Sequence, residues 1–221
     1  MRCTYGVDEA GRGPILGPMV IAVVALDHGG AISLGKRGIC DSKAVSGPKA
    51  KERRRELAEV IRRRALGVAV RVVEVEEVDA HTFRGELNVL ERKVVLELLR
   101  ELRTPDDAKV ICDGANMFAP LRKWFANLRA VNNGEGAHVS VAAASILAKD
   151  ARDQAFAQIA ARYEADFGPI TGGGYLNPGT RRFLEAYEAR HGCLPPEARK
   201  SWGAPKILEP QLATLPLFEP S

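Results

Sequence analysis

Four carboxylates at the ends of predicted strands are the residues of this sequence best suited to chemistry. They are Asp8, Glu9, Asp113 and Glu135. The first two close one apolar run, the third closes another, and the fourth follows a further run. Because neighbouring strand ends of a mixed sheet bring distant residues together, we expect these side chains to converge. The alternative is that each is a solvated residue at the end of a strand.

Converging carboxylates would favour a divalent cation. They repel one another and raise one another's pKa unless a positive charge neutralises them. Oxygen ligands without cysteine or histidine nearby select Mg²⁺ or Mn²⁺ rather than Zn²⁺, and the four histidines show no spacing typical of a metal site. Two such ions about 4 Å apart would bind the attacking and leaving oxygens of a phosphodiester. The pattern therefore predicts a site for two ions.

The segment GRGPILGP begins two residues after the adjacent acids. Glycines let a backbone approach a ligand closely, and exposed amides can bind a phosphate or a hydroxyl. A pair of glycines can equally form an ordinary turn. Because this pair lies beside the carboxylates, the segment is a candidate for substrate binding.

The composition is that of a globular protein. The chain has 221 residues, of which 46% are hydrophobic, so one fairly large domain can be buried. A net charge of +4 permits an anionic partner without requiring one. The four cysteines lie far apart, mostly beside apolar segments, which predicts buried free thiols. No apolar run suits a signal peptide or a membrane span, so we expect a cytoplasmic monomer with no membrane partner.

Hydrophobic periodicity predicts an α/β fold with a mixed sheet. The predicted strands are residues 3–9, 19–26, 67–75, 108–114 and 128–133. The predicted helices are residues 48–64, 85–102, 138–167 and 180–192. The helix at 48–64 is basic with interspersed glutamates, so we interpret it as a solvated face. The alternative is a helix that follows a nucleic-acid duplex.

Several motifs resemble those of the type 2 ribonucleases H, the ribonuclease HII family. They are GVDEAGRGPILGPMVIA, DSK, CDG, SVAAASILAK and GGGYLNPGTRRFLEAY, followed by RKSW, in the order that the family has them. The resemblance implies a ribonuclease H-like mixed central sheet flanked by helices, with a small C-terminal helical subdomain. The expected divisions are a catalytic domain at 1–167, the subdomain at 168–202 and a proline-rich tail at 203–221.

The resemblance also assigns metal ligands. Asp8, Glu9 and Asp113 match the family's metal-binding carboxylates, and the implied cofactor is Mg²⁺ or Mn²⁺. Glu135 departs from the family, which usually has aspartate there. The added methylene would move the carboxylate by more than about 1 Å, so activity could fall or metal preference change. Asp153 is a poor substitute, because it lies more than about 15 Å from the start of its helix.

The implied activity is hydrolysis of RNA paired with DNA, including incision at single ribonucleotides in duplex DNA, leaving 3′-hydroxyl and 5′-phosphate ends. Gly11, Arg12 and Gly13 match the loop that recognises the ribose 2′-hydroxyl. Tyr175 matches a tyrosine that packs on the sugar. Lys43 matches a lysine near the substrate phosphates, although it could simply be solvated. Two alternatives are a catalytically weakened hybrid-binding protein and another nuclease of this fold, such as a junction resolvase.

The tail carries apolar residues that no core would cover, among them Leu217 and Phe218 after Gln211. They could fold back onto their own domain. Their pattern also resembles peptides that bind the ring-shaped sliding clamp of replication, with the spacing from Gln211 one residue longer than in the common bacterial form. A sliding clamp is therefore a candidate partner, beside the expected RNA/DNA substrate.

Overall fold

The computed structural model describes residues 3–40 and 49–202, which form a five-stranded sheet with helices on both faces. The strands are β1 (Thr4–Ala10), β2 (Met19–Leu26), β3 (Gly67–Val73), β4 (Lys109–Asp113) and β5 (Arg129–Val131). The helices are α1 (His28–Gly35), α2 (Ala50–Arg64), α3 (Val75–Thr82), α4 (Leu87–Glu101), α5 (Ala115–Phe118), α6 (Val139–Phe167) and α7 (Pro178–His191). Short 3-10 turns lie at Ala119–Lys123, Gly134–Gly136 and Lys200–Trp202.

The sheet is mixed, as predicted, with its strands in the order β3-β2-β1-β4-β5. β1 and β3 run antiparallel to β2, whereas β4 runs parallel to both β1 and β5. β2 is buried along its whole length, as expected of an apolar, β-branched run covered on both faces. Val7 of β1 pairs with Cys112 of β4. Asp8 and Asp113 therefore follow this aligned pair, side by side on parallel strands.

Two helices cover the two faces of the sheet. Successive strand residues point to opposite faces, so Val20 packs in the cluster with α6 and Ile21 packs in the cluster with α4. Gly6 of β1 lies where α6 comes closest. A Cβ atom on Gly6 would lie 2.1 Å from the carbonyl carbon of Ser140, so only glycine allows this approach. Gly6, and the residues that alternate with it along β1, therefore face α6.

A third apolar cluster joins the C-terminal region to the rest of the molecule. Phe183 of α7 packs with Phe156 of α6 and with Leu16 in the loop after β1. Helix α7 begins after Asn177, whose side chain accepts two backbone N–H groups, and ends at Gly192 with a φ of 69°. The division at residue 168 stays a prediction, because this cluster joins both sides of it.

The predicted strands and long helices are present with ends shifted by at most two residues, and three short helices, α1, α3 and α5, were not predicted. Helices α1 and α3 are only eight residues each. The predicted strand at 67–75 ends at Val73, and Val75 starts α3, whose first turn carries two glutamates. The cysteines are free, but the prediction that they are buried is wrong for all except Cys112. Cys193 is exposed because it follows the end of α7.

Among the described residues, no helix combines the length and the apolar character needed to cross a membrane. Lys43 and the tail at 203–221 lie outside the described residues, so their predicted roles stay predictions.

Candidate active site

Two of the predicted carboxylates meet at the end of the sheet. Asp8 and Asp113 follow the aligned pair Val7 and Cys112 on parallel strands, so both point to the α6 face. Asp8 is only 7% exposed. Its Oδ1 atom accepts a hydrogen bond of 2.9 Å from the N–H of Glu9. The register of β1 and β4 therefore brings together the buried Asp8 and the half-buried Asp113, which are far apart in sequence.

The side chain of Glu9 lies on the opposite face of the sheet from that of Asp8. It alternates with Asp8 along β1 and so points to the α4 side. There its charge is coupled to that of Glu91 on α4 and to that of Arg12 in the following loop. Adjacent acids at a strand end thus place one carboxylate on each side of the sheet.

Glu135 reaches the α6 side through two residues of that helix. Its Oε2 atom accepts hydrogen bonds from the Ser145 hydroxyl at 2.6 Å and from Lys149 Nζ at 2.9 Å. Burial tends to raise the pKa of Glu135, but these two hydrogen bonds and the charge of Lys149 lower it overall. A hydroxyl has one proton to donate, so Ser145 donates to Glu135 while also lying beside Asp8.

The electrostatic environment of Asp8 disfavours its charged form. Burial raises the pKa of Asp8 to about 6. The neighbouring Ser145 hydroxyl and the hydrogen bond from the Glu9 N–H oppose this rise, the negative charge of Asp113 adds to it, and Lys149 opposes it again. Desolvation prevails because the surrounding donors do not replace the water that the carboxylate loses.

The pKa of Glu9 is raised further than that of Asp8. Burial raises its pKa to about 8, and the negative charges of Asp8 and Glu91 raise it as well. Arg12 lowers it and Asp113 raises it again. Its Oε2 atom is buried and has no hydrogen-bond partner among the residues that the structure describes. An unpartnered buried carboxylate oxygen is costly when ionised, so this side chain would be stabilised by a cation.

These residues fit a hard divalent cation in their chemistry but are not gathered into one cluster. All the candidate donors are carboxylate oxygens, which suit Mg²⁺ or Mn²⁺. Within the described ranges, however, no group of three or more His, Cys, Asp or Glu side chains is positioned to hold a metal ion. Two features account for this. Glu9 points to the opposite face from Asp8, and Glu135 is hydrogen-bonded to Ser145 and Lys149.

The glycine-containing loop after β1 borders a cleft of about 360 Å³ next to Glu9. Gly11, Arg12 and Gly13 all line it. The Arg12 side chain turns away to α4, where its Nε atom lies 3.0 Å from Glu91 Oε1 and its guanidinium donates to Asn88 at 2.6 Å. Burial raises the pKa of Glu91 to about 7, although Arg12 opposes the shift. Because the Arg12 side chain turns away and the other two residues are glycines, the loop lines the cleft mainly with backbone groups.

Tyr175 lies on the other side of this loop. It lines the same cleft, is 57% exposed, and its ring edge would be 3.5 Å from a Cβ atom on Gly13. The carbonyl of Gly174 accepts hydrogen bonds from the N–H groups of Ile15 and Leu16, at 3.0 and 3.1 Å. These bonds fix the tyrosine's segment against the loop. Tyr175 therefore lies beside residues 11–13, and its packing on the sugar stays a prediction.

Two buried arginines also hold the loop. Arg152 of α6 donates to the carbonyls of Leu16 at 2.8 Å and Gly173 at 3.0 Å. Arg199 donates to the carbonyls of Gly11, Arg12 and Gly17. Sequence reasoning missed both, because a buried arginine looks like a solvated one in sequence.

Other residues in or near the cleft were also missed, and one signal could have found some of them. Ser145, Lys149 and Arg152 recur at helical spacing on one side of the alanine-rich helix. Asp153 also lines the cleft, where it accepts two hydrogen bonds from Arg54 of α2 at 2.6 and 3.0 Å. The basic helix α2 is therefore not entirely a solvated face, because Arg54 reaches the cleft.

The mixed sheet, with carboxylates at the ends of adjacent parallel strands, defines a ribonuclease H-like fold. A similar solved structure is ribonuclease H2 from Pyrococcus horikoshii, with a TM-score of 0.78, 27% identity, and coverage of 96% of this chain and 100% of that one. Another is the PCNA:RNase HII complex from Archaeoglobus fulgidus, with a TM-score of 0.74, 29% identity, and coverage of 93% and 96%.

Sequence comparison gives the particular family. The family model for ribonuclease HII matches residues 5–204. Ribonuclease HII of Thermococcus onnurineus is 38% identical over 216 residues, which cover 94% of this chain and 90% of that protein. The chain therefore belongs to the ribonuclease HII family, and the predicted resemblance is confirmed. This membership makes it a nuclease of the ribonuclease H class.

Proposed function

We propose that this protein is a metal-dependent endonuclease that hydrolyses the RNA strand of RNA/DNA hybrids. We further propose that it incises duplex DNA at single ribonucleotides, leaving 3′-hydroxyl and 5′-phosphate ends. The observation that carries the proposal is the position of Glu9. Glu9, whose Oε2 atom is buried without a partner among the described residues, lines the same cleft as the Gly11–Gly13 loop and Tyr175. A site for a cation and a surface for a sugar therefore adjoin.

The proposed metal ligands are Asp8, Glu9, Asp113 and Glu135. Two divalent ions, when bound, would stabilise the negative charge on the attacking and leaving oxygens of the phosphodiester. The chain contributes carboxylates that are partly desolvated already, so their charges are poorly compensated before an ion binds. Glu135 would have to exchange its hydrogen bonds to Ser145 and Lys149 for this role.

The residues of the cleft account for substrate recognition. Backbone amides of residues 11–13 can bind the 2′-hydroxyl, which is the group that distinguishes RNA from DNA at a given site. Tyr175 offers an exposed ring for packing on the sugar. Lys149 and Arg54 line the cleft as cations and favour the phosphate backbone. Lys43 remains a further candidate for a phosphate contact.

The test is cleavage of a labelled DNA duplex that contains one ribonucleotide, with Mg²⁺ or Mn²⁺ present. We expect a single cut with the stated end groups, and no cut in the matched all-DNA duplex. Asp113→Asn should remove nearly all cleavage while keeping the fold and hybrid binding. Asp166→Asn is a suitable control, because Asp166 is exposed and pairs with Arg190 on the surface. Cleavage by Asp113→Asn at more than a few per cent of the wild-type rate would contradict the ligand assignment.

A second candidate function is hybrid binding with weakened catalysis. The observation in its favour is that Glu135 already accepts hydrogen bonds from Ser145 and Lys149. The Oε2 atom of Glu9, in contrast, has no partner among the described residues. The same assay separates the two functions. Tight binding of the ribonucleotide duplex without any cut, in either metal, would favour this second candidate.

We also propose that the tail at 203–221 docks onto a sliding clamp. Support comes from the solved PCNA:RNase HII complex of the Archaeoglobus fulgidus relative. Tethering would raise the local concentration of the enzyme on newly copied DNA without changing its active site. The expected monomeric state of the free chain can be checked by light scattering.

A further inference from the structure

We propose that Arg199 is a positioning residue, which orients the peptide groups of residues 11–13 for recognition of the ribose 2′-hydroxyl. This inference rests on the proposed function, because it concerns how that site selects its substrate. Arg199 lies at the far end of the described chain and does not line the cleft itself. It would act entirely through the loop that it contacts.

The guanidinium of Arg199 is surrounded by three carbonyl groups of the loop. It donates to the carbonyl oxygen of Gly11 at 2.6 Å, to that of Arg12 at 2.9 Å and to that of Gly17 at 3.0 Å. The residue is 0% exposed. The Arg199 backbone N–H also donates to the Ile15 carbonyl at 2.8 Å. One residue thereby fixes both ends and the middle of the loop.

These contacts determine which way the loop amides face. In a planar trans peptide, the C=O and the N–H point in opposite directions. When the carbonyls of Gly11 and Arg12 point at Arg199, the N–H groups of Arg12 and Gly13 must point away from it. Neither N–H donates a hydrogen bond to any of the residues that the structure describes. Both therefore remain available on a loop that borders the cleft.

The buried position of Arg199 disfavours its positive charge, so the arrangement carries an electrostatic cost. Burial lowers the pKa of Arg199 to about 10, and the nearby charge of Arg152 lowers it too. Asp79 and Tyr175 oppose this shift, but the guanidinium itself bonds to carbonyls rather than to a carboxylate. The guanidinium spreads its donors over three nitrogens in one rigid plane, whereas a lysine ammonium has its three donors on a single nitrogen. A lysine would reach fewer of them and would let at least one peptide group rotate.

Asp79 of α3 anchors the segment that carries Arg199. Its carboxylate, 9% exposed, accepts the N–H groups of Lys200 at 2.9 Å and Ser201 at 3.1 Å, and also the Ser201 hydroxyl. Asp79 touches neither the loop nor the cleft lining in these contacts. It therefore offers a second way to disturb the position of Arg199 without altering Arg199 itself.

A purely structural role for Arg199 predicts a different outcome from a positioning role. Loss of general stability would weaken all duplexes alike once the protein is folded. Loss of amide orientation would weaken only the ribonucleotide duplex, because the phosphates and the deoxyribose sugars are the same in both duplexes. The informative quantity is therefore the ratio of affinities for the ribonucleotide duplex and the matched all-DNA duplex.

The experiment compares Arg199→Lys, Asp79→Asn and the control Arg190→Lys with the wild type. Arg190 is an exposed arginine on α7 that pairs with Asp166. Affinities for both duplexes are measured by fluorescence anisotropy in EDTA, and cleavage with Mg²⁺ in parallel. We expect Arg199→Lys to lower the affinity ratio and kcat/KM by about tenfold or more, the loss expected from one or more charge-assisted hydrogen bonds. Arg190→Lys should match the wild type.

Each outcome decides the question. A folded Arg199→Lys protein with the wild-type ratio would overturn the inference. If that variant does not fold, Asp79→Asn decides instead, with a lowered ratio supporting the inference and an unchanged ratio opposing it. A wild type that prefers the ribonucleotide duplex but does not cut it would refute the proposed catalysis alone. A wild type with no preference would overturn the inference, because there would be no recognition to position.

Discussion

Replacing Asp8 by asparagine should stabilise the metal-free protein while removing its cleavage activity. Asp8 is 7% exposed and its pKa rises from 3.8 to about 6, mainly because burial disfavours the charge. Asparagine has nearly the same shape and cannot ionise. Its amide oxygen can still accept the Glu9 N–H that now bonds to Oδ1. The substitution therefore removes a buried charge without removing the hydrogen bond beside it.

The size and sign of the effect follow from the pKa. Because the folded-state pKa lies above the unfolded one, ionisation costs stability as the pH rises from about 4 to about 6. Below about pH 4 the carboxyl is protonated in both states, and the cost disappears. The full cost is about 3 kcal/mol, or about 6–12 °C in Tm for a protein of this size. Relative to the wild type, the variant should gain this amount between pH 4 and pH 8.

The assay is urea unfolding followed by circular dichroism, in EDTA, across that pH range. A stability difference between Asp8→Asn and wild type that does not change with pH would refute the reasoning. Glu135→Gln is a control for which the expected change in stability has the opposite sign. The folded-state pKa of Glu135 is lowered, so its charge contributes stability that is lost as the pH falls, and the Gln variant should be less stable at pH 8. Saturating Mg²⁺, at about 100 times its Kd, should restore about 2.7 kcal/mol to the wild type but less to Asp8→Asn.

Three further outcomes are expected. Glu135→Ala should lose cleavage and Glu135→Asp should retain or improve it, and equal rates for the Ala variant and wild type would show that this residue is a bystander. Tyr175→Ala should slow cleavage at a lone ribonucleotide by roughly ten- to a hundredfold, since stacking contributes about 1–3 kcal/mol, and should leave metal binding measured by calorimetry unchanged. Removing residues 209–221 should preserve cleavage of a short duplex and abolish binding to the organism's own clamp. Calorimetry that detects no heat between the intact protein and that clamp would favour the fold-back alternative for the tail.

The elements that could be predicted are those with a long periodic signal. The run at 19–26 became β2 without any shift, and the alanine-rich helix begins one residue after its predicted start. Helices α1 and α3 could not be predicted in this way. They span little more than two turns each, and α3 begins in a valine-rich segment that continues the pattern of β3.

The candidate site was only partly predictable, for reasons that particular residues make clear. Strand ends indicated Asp8 and Asp113, because the register of parallel strands brings such residues together. The strand alternation that places Glu9 on the opposite face from Asp8 follows directly from their adjacent positions in the sequence. Glu91 and Arg199 could not have been found, since both are 0% exposed and their partners lie far away in the chain. Nothing local distinguishes a charge that will be buried from one that will be solvated.

The contact between Arg199 and the loop also orders events in time while the protein is being made. Its hydrogen bonds join residues that are 187 and 188 positions apart. At a synthesis rate of about 5–20 residues per second, the loop waits roughly 10–40 s for the arginine that orients it. The strand ends with Asp8 and Asp113 are synthesised well before that. A nascent chain that stops short of Arg199 therefore contains all four proposed metal ligands but lacks the support of the loop that is proposed to recognise ribose.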